Sequence, residues 1–394
     1  MKKYYRVTAD IDLDAIYDNI SNTRKIINNG TKIMAIIKAD GYGHGAVAIA
    51  KCIDEIVDAY GVSNIDEAIE IRKNATKKPI LILGYTAKEQ FEDVIENDIT
   101  QAVYTLEQAQ FLSKCASSLG KVANIHIKLD TGMTRIGFKT DDDSVDEIVR
   151  ISGFDGIKIT GIFTHFSKAD ETDKTYTKMQ LKRYTDFVAA LERRGINIPT
   201  KHVSNSAAII DLPEANFDMV RSGISTYGLY PSEEVDKSRL VLKQAMSLHS
   251  HISFIKEVDA GVSVSYGGKF VTDRKTRIAT IPVGYADGYP RNLSGRGYVL
   301  IEGKVAPILG RVCMDQFMVD ITEIEEADYS SVVTLLGRDM DRFISVEELS
   351  ALAGTFNYEF VCDISKRVPR VFYRHNKVWG TQDFTDCYDE TYDS

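Results

Sequence analysis

Lys38 lies where an apolar segment meets a glycine-rich turn. Residues 33–37 are all apolar, and Gly41, Gly43 and Gly45 follow within a few positions. A short apolar run bounded by turn residues predicts a strand that is buried on both faces. Lysines at the edge of a core can have a lowered pKa, and such an amine forms an imine with a carbonyl compound. Lys38 is therefore a candidate for covalent binding of a carbonyl cofactor or substrate; the alternative is a solvated lysine that only ends a strand.

Seven further apolar runs resemble the one before Lys38. The eight predicted strands are residues 33–37, 59–63, 80–83, 101–104, 125–129, 159–164, 202–204 and 219–221. Amphipathic segments such as 65–72 and 180–188 lie between them and predict helices. Strand and helix thus alternate eight times, which predicts an α/β fold with an N-terminal (β/α)8 barrel of the TIM type.

Several polar residues follow the predicted strands directly. In such a barrel, reactive groups lie at the carboxyl ends of the strands, and phosphate often binds in the loops after strands seven and eight. The residues at these positions are Lys38, Arg135, His165, Asn205, Ser206, Arg221, Gly223 and Ile224. An amine, donors for a phosphate and charge near a ring are what a phosphorylated aldehyde cofactor requires.

The pattern changes near residue 243. Short alternating segments such as 248–255, 276–283 and 331–336 follow, separated by glycine and proline, and they predict a mainly β domain. We assign residues 12–242 to the barrel and residues 1–11 and 243–394 to the β domain. One helix is predicted at 346–356 with Ser345 as its N-cap. The acidic tail after Trp379 is expected to be disordered or loosely docked.

Composition excludes several classes of protein. The 394 residues are 44% hydrophobic and 27% charged, as in soluble globular proteins. A net charge of -9 argues against a nucleic-acid partner. No apolar stretch predicts a signal peptide or a membrane span. The five cysteines are scattered without a CxxC pair, which indicates a cytoplasmic protein. No histidine pair has the spacing of a zinc site, so we expect no metal and assign His126 and His202 structural roles.

Four segments resemble motifs of one enzyme family. Residues 38–45, Lys-Ala-Asp-Gly-Tyr-Gly-His-Gly, are similar to the pyridoxal-phosphate attachment motif of alanine racemases. Residues 265–267, 284–288 and 310–316 resemble further motifs of that family. The resemblance extends from about Thr8 to His375. Motifs in this order and at compatible spacing are much more specific together than any one alone.

The resemblance implies a head-to-tail homodimer with shared active sites and pyridoxal 5'-phosphate as cofactor. Lys38 would hold the cofactor and act as a base on one face of the substrate carbon. The partner subunit's Tyr266, from the β domain, would act on the opposite face. The small amino-acid substrate would be alanine, and its D form would supply peptidoglycan synthesis.

The resemblance also implies roles for the residues around the cofactor. The cofactor phosphate would be bound by Tyr42, Ser206, Gly223, Ile224 and Tyr285, with Asn205 next to them. Arg221 would face the pyridine nitrogen, with His165 behind it. Arg135 would bind the phenolic oxygen and contribute to the substrate site; it would be held by Lys128, which is carbamylated in some relatives. The backbone of Met314 would receive the substrate carboxylate, with Asp315 beside it.

Two opposed acid–base groups suit racemisation, because a proton must leave one face of a carbon and arrive at the other. Lysine and tyrosine have ordinary pKa values near 10.4 and 10, so deprotonating either at neutral pH costs about 4 kcal/mol unless the site helps. Neighbouring arginine and histidine cations would lower this cost. An arginine at the ring nitrogen would disfavour protonation there, which shortens the lifetime of a carbanion and disfavours side reactions.

Lys366 departs from the motif. In alanine racemases, the stretch that resembles residues 364–370 usually carries a tyrosine at this position. A lysine retains a donor, adds a charge and removes an aromatic wall at the substrate entrance. A serine or broad-specificity racemase is therefore the first alternative, beside a tolerated exchange.

Two alternatives come from other classes. A non-catalytic pyridoxal-phosphate-binding protein would not need the β domain, Tyr266 or the segment around Met314. A nicotinamide oxidoreductase could use Gly41 and Gly43 as a dinucleotide fingerprint. That fold also requires an acidic residue about 20 positions further on, at a strand end, and the acidic residues in this region, Glu55 and Asp58, lie within a predicted helical pattern.

Overall fold

The computed structural model describes residues 3–385 and the backbone of residues 389–390. The chain forms two compact units. The barrel unit consists of residues 16–41 and 49–243, and the second unit consists of residues 1–15, 42–48 and 244–394.

The strands are numbered in chain order. The described residues form β1 to β22, which are Val7–Asp12, Lys32–Ile36, Ala59–Val62, Ile80–Ile82, Thr100–Val103, Ala123–Lys128, Ile157–Phe163, Lys201–His202, Met219–Ser222, Met246–His251, Phe254–Val258, Ser263–Val264, Phe270–Val271, Thr276–Ile281, Tyr298–Ile301, Lys304–Leu309, Phe317–Asp320, Val332–Asp339, Arg342–Ile344, Arg370–Arg374, Lys377–Gln382 and Asp389–Glu390.

Helices connect most of the barrel strands. The α-helices are Leu13–Ile26, Ala46–Ile53, Ile65–Asn74, Phe91–Glu96, Leu106–Ser118, Asp142–Ser152, Thr175–Arg193, Ser206–Asp211, Val346–Ala353 and Asn357–Asp363. The segment Lys38–Tyr42 is a tight turn with left-handed backbone at Ala39, Asp40 and Gly41. Short 3₁₀-helices lie at Lys88–Gln90, Pro213–Ala215, Ile224–Tyr227, Tyr266–Gly268, Tyr285–Asp287 and Arg291–Leu293.

The barrel unit confirms the predicted eight-stranded parallel architecture. Its strands are ordered β8-β7-β6-β5-β4-β3-β2-β9, so that the first barrel strand lies between the second and the last. Strands β8 and β9 are linked by the amides of Asp218 and Arg221, which donate to the carbonyls of Lys201 (3.1 Å) and Ser204 (3.0 Å). The observed strands lie within about two residues of the predicted ones because continuous apolar runs suit strands that are buried on both faces.

The second unit confirms the predicted mainly β domain. Its large sheet has the order β11-β14-β17-β16-β15-β18-β10-β1-β20-β21-β22, with β19 added to β18. The amino-terminal strand β1 lies in the middle of this sheet, antiparallel to β10 and parallel to β20. Strands β12 and β13 form a separate hairpin with Tyr266 in its turn.

Residues 42–48 pack in the second unit, although the sequence analysis placed them in the barrel. Arg370 donates to the carbonyl of Gly43 over 3.0 Å. A Cβ on Gly43 would lie 2.2 Å from the carbonyl oxygen of Val361. Glycine therefore allows the backbones of these two segments to come close together. The periodicity of apolar residues gives no signal for such a contact.

The carboxyl-terminal region differs from expectation in two details. The predicted helix begins after its N-cap Ser345 but ends at Ala353, because Gly354 adopts a left-handed conformation with φ 71°. The tail expected to be loose after Trp379 continues β21 to Gln382, paired with β20. Residues 386–388 and 391–394 lie outside the described residues.

Candidate active site

Lys38 stands at the carboxyl end of β2 and is half-buried. The backbone after it turns through left-handed conformations at Ala39, Asp40 and Gly41, with φ of 53°, 50° and 61°. The carboxylate of Glu67 accepts the amide of Ala39 over 2.8 Å. Consecutive left-handed residues are unfavourable for L-amino acids, and this contact supports the turn. The amine of Lys38 therefore stands at the strand end, next to a tight turn that the hydrogen bond to Glu67 stabilises.

Arg221 is buried at the end of β9 and is surrounded by acceptors. Its guanidinium donates to the carbonyls of Thr164 (2.8 Å), Val203 (2.9 Å) and His202 (3.0 Å). It also lies 3.0 Å from Nδ1 of His202 and 3.3 Å from Nδ1 of His165. Arginine has only donors, so both ring nitrogens must accept, and both histidines are neutral. Burial, and then the charge of Arg221, holds the pKa of His165 and of His202 well below the ordinary value.

His126 continues the series of hydrogen bonds that begins at Arg221 and passes through His202. Its Nδ1 lies 2.9 Å from Nε2 of His202. Because Nδ1 of His202 accepts from Arg221, its Nε2 carries the proton and donates to His126. Burial lowers the pKa of His126 to about 3, and the charge of Arg221 contributes. A Cβ on Gly161 would lie 2.5 Å from the His126 ring, so glycine makes room for it.

The sequence analysis gave these two histidines only structural roles. A signal was available for His126, which shares a face of β6 with Lys128 because side chains in a strand alternate with a period of two. No comparable local signal existed for His202, since its contact with Arg221 depends on strand order.

Lys128 is buried at the carboxyl end of β6. Its ammonium donates to the carbonyls of Leu129 (2.7 Å) and Ile136 (3.2 Å). Burial lowers its pKa to about 7, and the charge of Arg221 acts in the same direction, against the carboxylate of Asp130. At neutral pH this amine therefore exists partly in its neutral form.

The predicted cations of the barrel lie within electrostatic reach of one another. After burial, the pKa of His165 is lowered by the charges of Arg221, Arg135, Lys128 and Lys38, in that order. Arg135 is exposed, whereas Arg221 and Lys128 are buried. This end of the barrel therefore has an excess of positive charge, which favours an anionic group.

Ser206 and the turn after β9 form a small cluster of donors. The hydroxyl of Ser206 accepts from the amides of Gly223 (3.0 Å) and Ser225 (3.3 Å). Ile224 begins the short helix in this turn. Asn205 caps the helix that begins at Ser206, through its side-chain oxygen. Backbone amides and hydroxyls in such a turn suit a phosphate group.

Tyr42, Tyr285, Met314, Asp315 and Tyr266 belong to the second unit. Tyr42 is buried, with its ring 6.1 Å from that of Tyr358. Burial, and then the nearby Cys362, raises the pKa of the Tyr42 phenol, which remains a hydrogen-bond donor at neutral pH. Tyr266 and Met314 are instead 71% and 53% exposed.

Two backbone hydrogen bonds join the turn of Tyr285 to the segment of Met314. The amide of Tyr285 donates to the carbonyl of Cys313 (3.1 Å), and the amide of Ala286 donates to the carbonyl of Met314 (3.0 Å). A Cβ on Gly284 would lie 2.3 Å from both of those carbonyl oxygens. The two predicted motifs thus form one structural unit within the second unit.

Asp287 is a supporting residue that the sequence analysis missed. Its buried carboxylate accepts two hydrogen bonds from the guanidinium of Arg6, at 2.8 and 2.5 Å, and one from the amide of Gly284 at 3.0 Å. Arg367 lies 3.6 Å away and also pairs with Asp315 over 2.8 Å. The pairing with Arg6 spans most of the chain and leaves no local signature.

Across the residues that the structure describes, no group of three or more histidine, cysteine, aspartate or glutamate side chains is placed to hold a metal ion. None of the described helices has the length and apolar character needed to cross a membrane.

Two family models match the chain in sequence order. Residues 11–231 match the alanine racemase N-terminal domain, and residues 245–372 match the alanine racemase C-terminal domain. The chain belongs to the alanine racemase family. An alanine racemase from Methanococcus maripaludis is 47% identical over 367 residues, covering 93% of this chain and 98% of the relative. An alanine racemase from Clostridium perfringens is 47% identical over 373 residues, covering 94% and 96%.

Solved structures of family members have the same fold. The alanine racemase of Clostridium difficile 630 matches with a TM-score of 0.94 at 44% identity, covering 98% of this chain and 100% of that one. The alanine racemase of Bacillus anthracis with bound L-Ala-P matches with a TM-score of 0.92 at 34% identity, covering 97% and 99%.

Proposed function

We propose that this chain is a pyridoxal-phosphate-dependent alanine racemase, an isomerase that interconverts L- and D-alanine and supplies D-alanine for peptidoglycan. One observation carries the proposal: at the strand ends of the barrel of this family member, Lys38 is accompanied by the buried Arg221 and two neutral histidines. We also propose that it acts in the cytoplasm, which its scattered cysteines support.

The donor set of the barrel end fits pyridoxal phosphate. Arg221 and Arg135 supply positive charge for an anionic ligand, and Lys38 supplies an amine for its aldehyde. The hydroxyl of Ser206 and the turn of Gly223 and Ile224, which its hydrogen bonds hold together, suit its phosphate. When bound, the cofactor supplies an electron sink that makes the α-proton of an amino acid acidic.

Arg221 would face the ring nitrogen of the cofactor. Burial lowers the pKa of Arg221 to about 10, so the guanidinium remains charged at neutral pH. Its hydrogen bonds to three carbonyls and two imidazoles fix its plane. A fixed cation disfavours a proton on the ring nitrogen, which weakens the electron sink and disfavours reactions other than proton transfer.

Lys38 and Tyr266 would move the proton at the α-carbon of the substrate. The amine of Lys38 would act on one face, and the phenol of the partner subunit's Tyr266 would act on the other. The exposure of Tyr266 and Met314 supports a head-to-tail homodimer, because a second copy would cover them and complete the site. The backbone of Met314 would receive the carboxylate, with Asp315 and Arg135 near the substrate.

A serine or broad-specificity racemase is the second candidate. Lys366 is exposed and immediately precedes Arg367, which pairs with Asp315 beside the proposed carboxylate site. A lysine there adds a donor and a charge that would favour a hydroxylated or acidic side chain over a methyl group. The reaction and the two bases would be the same.

The experiment that tests the function is the Tyr266→Phe variant, assayed for interconversion of L- and D-alanine. We expect turnover to fall by about 10³-fold while the cofactor remains bound, as shown by borohydride reduction that labels Lys38. The control is Tyr329→Phe, the same change at another exposed tyrosine of the second unit.

Each rival predicts a different result. Unchanged turnover in Tyr266→Phe would contradict the assignment of the second base. A wild-type protein that is labelled at Lys38 but racemises no amino acid would be a non-catalytic carrier. A colourless protein without a labelled lysine would favour the nicotinamide oxidoreductase.

A further inference from the structure

Ser265, the residue before Tyr266, has an unusual backbone conformation. Its φ is 66° and its ψ is −179°. This region of backbone space is occupied almost only by glycine, because a Cβ is strained there, and such outliers concentrate at functional sites. A serine at this position therefore needs compensation from its surroundings.

The side chain of Ser265 supplies part of that compensation. Its hydroxyl donates to the carbonyl of Arg311 over 2.7 Å. The same hydroxyl lies 3.6 Å from the thiol of Cys313, which also lies 3.6 Å from the Arg311 carbonyl. Glycine would fit the backbone without strain, but it could not make this hydrogen bond.

The surrounding loops are shaped around this contact. Val264 is buried in a small apolar cluster with Ile278 and Leu309. A Cβ on Gly310 would lie 2.6 Å from the carbonyl oxygen of Val264 and 2.8 Å from Cβ of Ser265. Because Gly310 has no Cβ, its loop can pack closely against the loop that contains Val264 and Ser265.

The phenol of Tyr266 must be placed through its backbone. Its side chain is 71% exposed, so packing gives its ring little orientation within this unit. The segment that accepts the Ser265 hydroxyl continues to Met314, and its carbonyls bind the turn of Tyr285. The Ser265 hydroxyl therefore links the turn of Tyr266 to the segment of Met314, and that segment in turn holds the turn of Tyr285.

We infer that Ser265 is a positioning residue: its strained backbone and its hydrogen bond to Arg311 orient the Tyr266 phenol relative to Met314. This inference rests on the proposed role of Tyr266 as the second base. Strain at this position serves catalysis, and the hydroxyl offsets part of the strain.

Two substitutions separate the strain from the hydrogen bond. Ser265→Ala retains the strained backbone without the hydroxyl, and Ser265→Gly removes both. We expect each to lower kcat for alanine by about 10- to 100-fold at unchanged cofactor content, since small misplacements of a reacting group are costly. In calorimetry, Ser265→Gly should melt about 2 °C above Ser265→Ala because the strain is relieved. The matched control is Ser263→Ala, an exposed serine in the same hairpin.

Isotope effects distinguish positioning from a general folding defect. With α-deuterated L- and D-alanine, misplacement of Tyr266 slows proton transfer on one face only. The deuterium effect on kcat should therefore increase in one direction of racemisation and not in the other. Wild-type kcat and isotope effects in Ser265→Gly, or a lower melting temperature than that of Ser265→Ala, would overturn the inference.

The Tyr266→Phe variant separates the positioning role of Ser265 from the proposed role of Tyr266 as the second base. If it loses turnover while the Ser265 variants behave as wild type, only the positioning role fails. If it racemises alanine at the wild-type rate, the proposed second base fails and the inference fails with it.

Discussion

The barrel end and the loops of the second unit hold their polar groups in opposite ways. In the barrel, Arg221 and Lys128 are buried, and backbone carbonyls satisfy their donors. In the second unit, Tyr266 and Met314 are exposed. The hydroxyl of Ser265 and the backbone amides of Tyr285 and Ala286 hold their segments through hydrogen bonds to carbonyls. The barrel end is therefore organised by buried charge, whereas the exposed loops are organised by their backbone conformation.

The difference shows what burial does to charge. Several cations share the barrel end, and the three histidines of that region stay neutral because burial and the charge of Arg221 lower their pKa. In the loops of the second unit, the backbone conformation of Ser265 and the close approaches at Gly284 and Gly310 provide the constraint. Changes in the barrel should thus be sensitive to charge and pH, and changes in the loops should be sensitive to shape.

The largest effect is expected from Arg221→Gln. Loss of the fixed cation should lower turnover by about 10³-fold, as for removal of a preorganised charged donor, with Lys38 still labelled by borohydride. The control is Arg72→Gln, because Arg72, like Arg221, donates to several backbone carbonyls but stands at the end of the Ile65–Asn74 helix. That control should lower the free energy of unfolding and leave turnover per folded molecule intact. Equal losses of turnover would contradict an electrostatic role for Arg221.

In the second unit, a large loss of stability is expected from Arg6→Ala. The carboxylate of Asp287 is buried and would lose its two-fold hydrogen bond. We expect the free energy of unfolding to fall by about 3 kcal/mol, measured by urea denaturation. Arg274→Ala is the control, since Arg274 is half-exposed and lies 3.3 Å from Asp320; its loss should stay below about 1 kcal/mol. Similar losses for both would mean that Asp287 is held by its other contacts.

A smaller, pH-dependent effect is expected at Lys128. Its pKa is about 7 in the folded chain, whereas an unfolded lysine titrates near 10.4. Between these values only the unfolded state binds the proton, so the stability of the native chain rises with pH by up to about 1.4 kcal/mol per unit. Below pH 7 Lys128 is protonated in both the folded and the unfolded state, so the folded chain carries the full free-energy cost of burying its charge.

Lys128→Met should therefore be more stable than the native chain at pH 6. The advantage should shrink by about 2 kcal/mol between pH 7 and pH 9 in urea titrations of the apo-protein. Lys182→Met, at an exposed lysine of the Thr175–Arg193 helix, reports the general effect of removing one positive charge. A constant difference between Lys128→Met and the native chain across this range would refute the low pKa.

The smallest effect is expected from Lys366→Tyr. Removing an exposed charge from the proposed substrate entrance should raise kcat/KM for alanine relative to serine by less than about 10-fold. A panel of L-amino acids assayed for loss of optical rotation measures the ratio. Lys377→Tyr, at an exposed lysine of β21, is the matched control. An unchanged ratio would make Lys366 a neutral exchange.

The barrel was predictable because its signals are local. Each strand is a short apolar run between turn residues, and the strand-end rule then assigned Lys38, Arg135, His165 and Arg221 to one end of a parallel barrel. The helix at residues 346–353 was predicted from its cap Ser345, and only its end was missed. These features follow from contacts between residues that are close in sequence.

Strand order and packing decided the rest. The amino acids of the chain determined the type and sequence position of its strands, and which residues stand at their ends. Only the tertiary structure decided that His202 and His126 line up behind Arg221, that Arg6 pairs with Asp287, and that residues 42–48 pack beside Arg370. The physical reason is that these contacts join distant segments, so their partners depend on which elements pack together, and local periodicity carries no information about that choice.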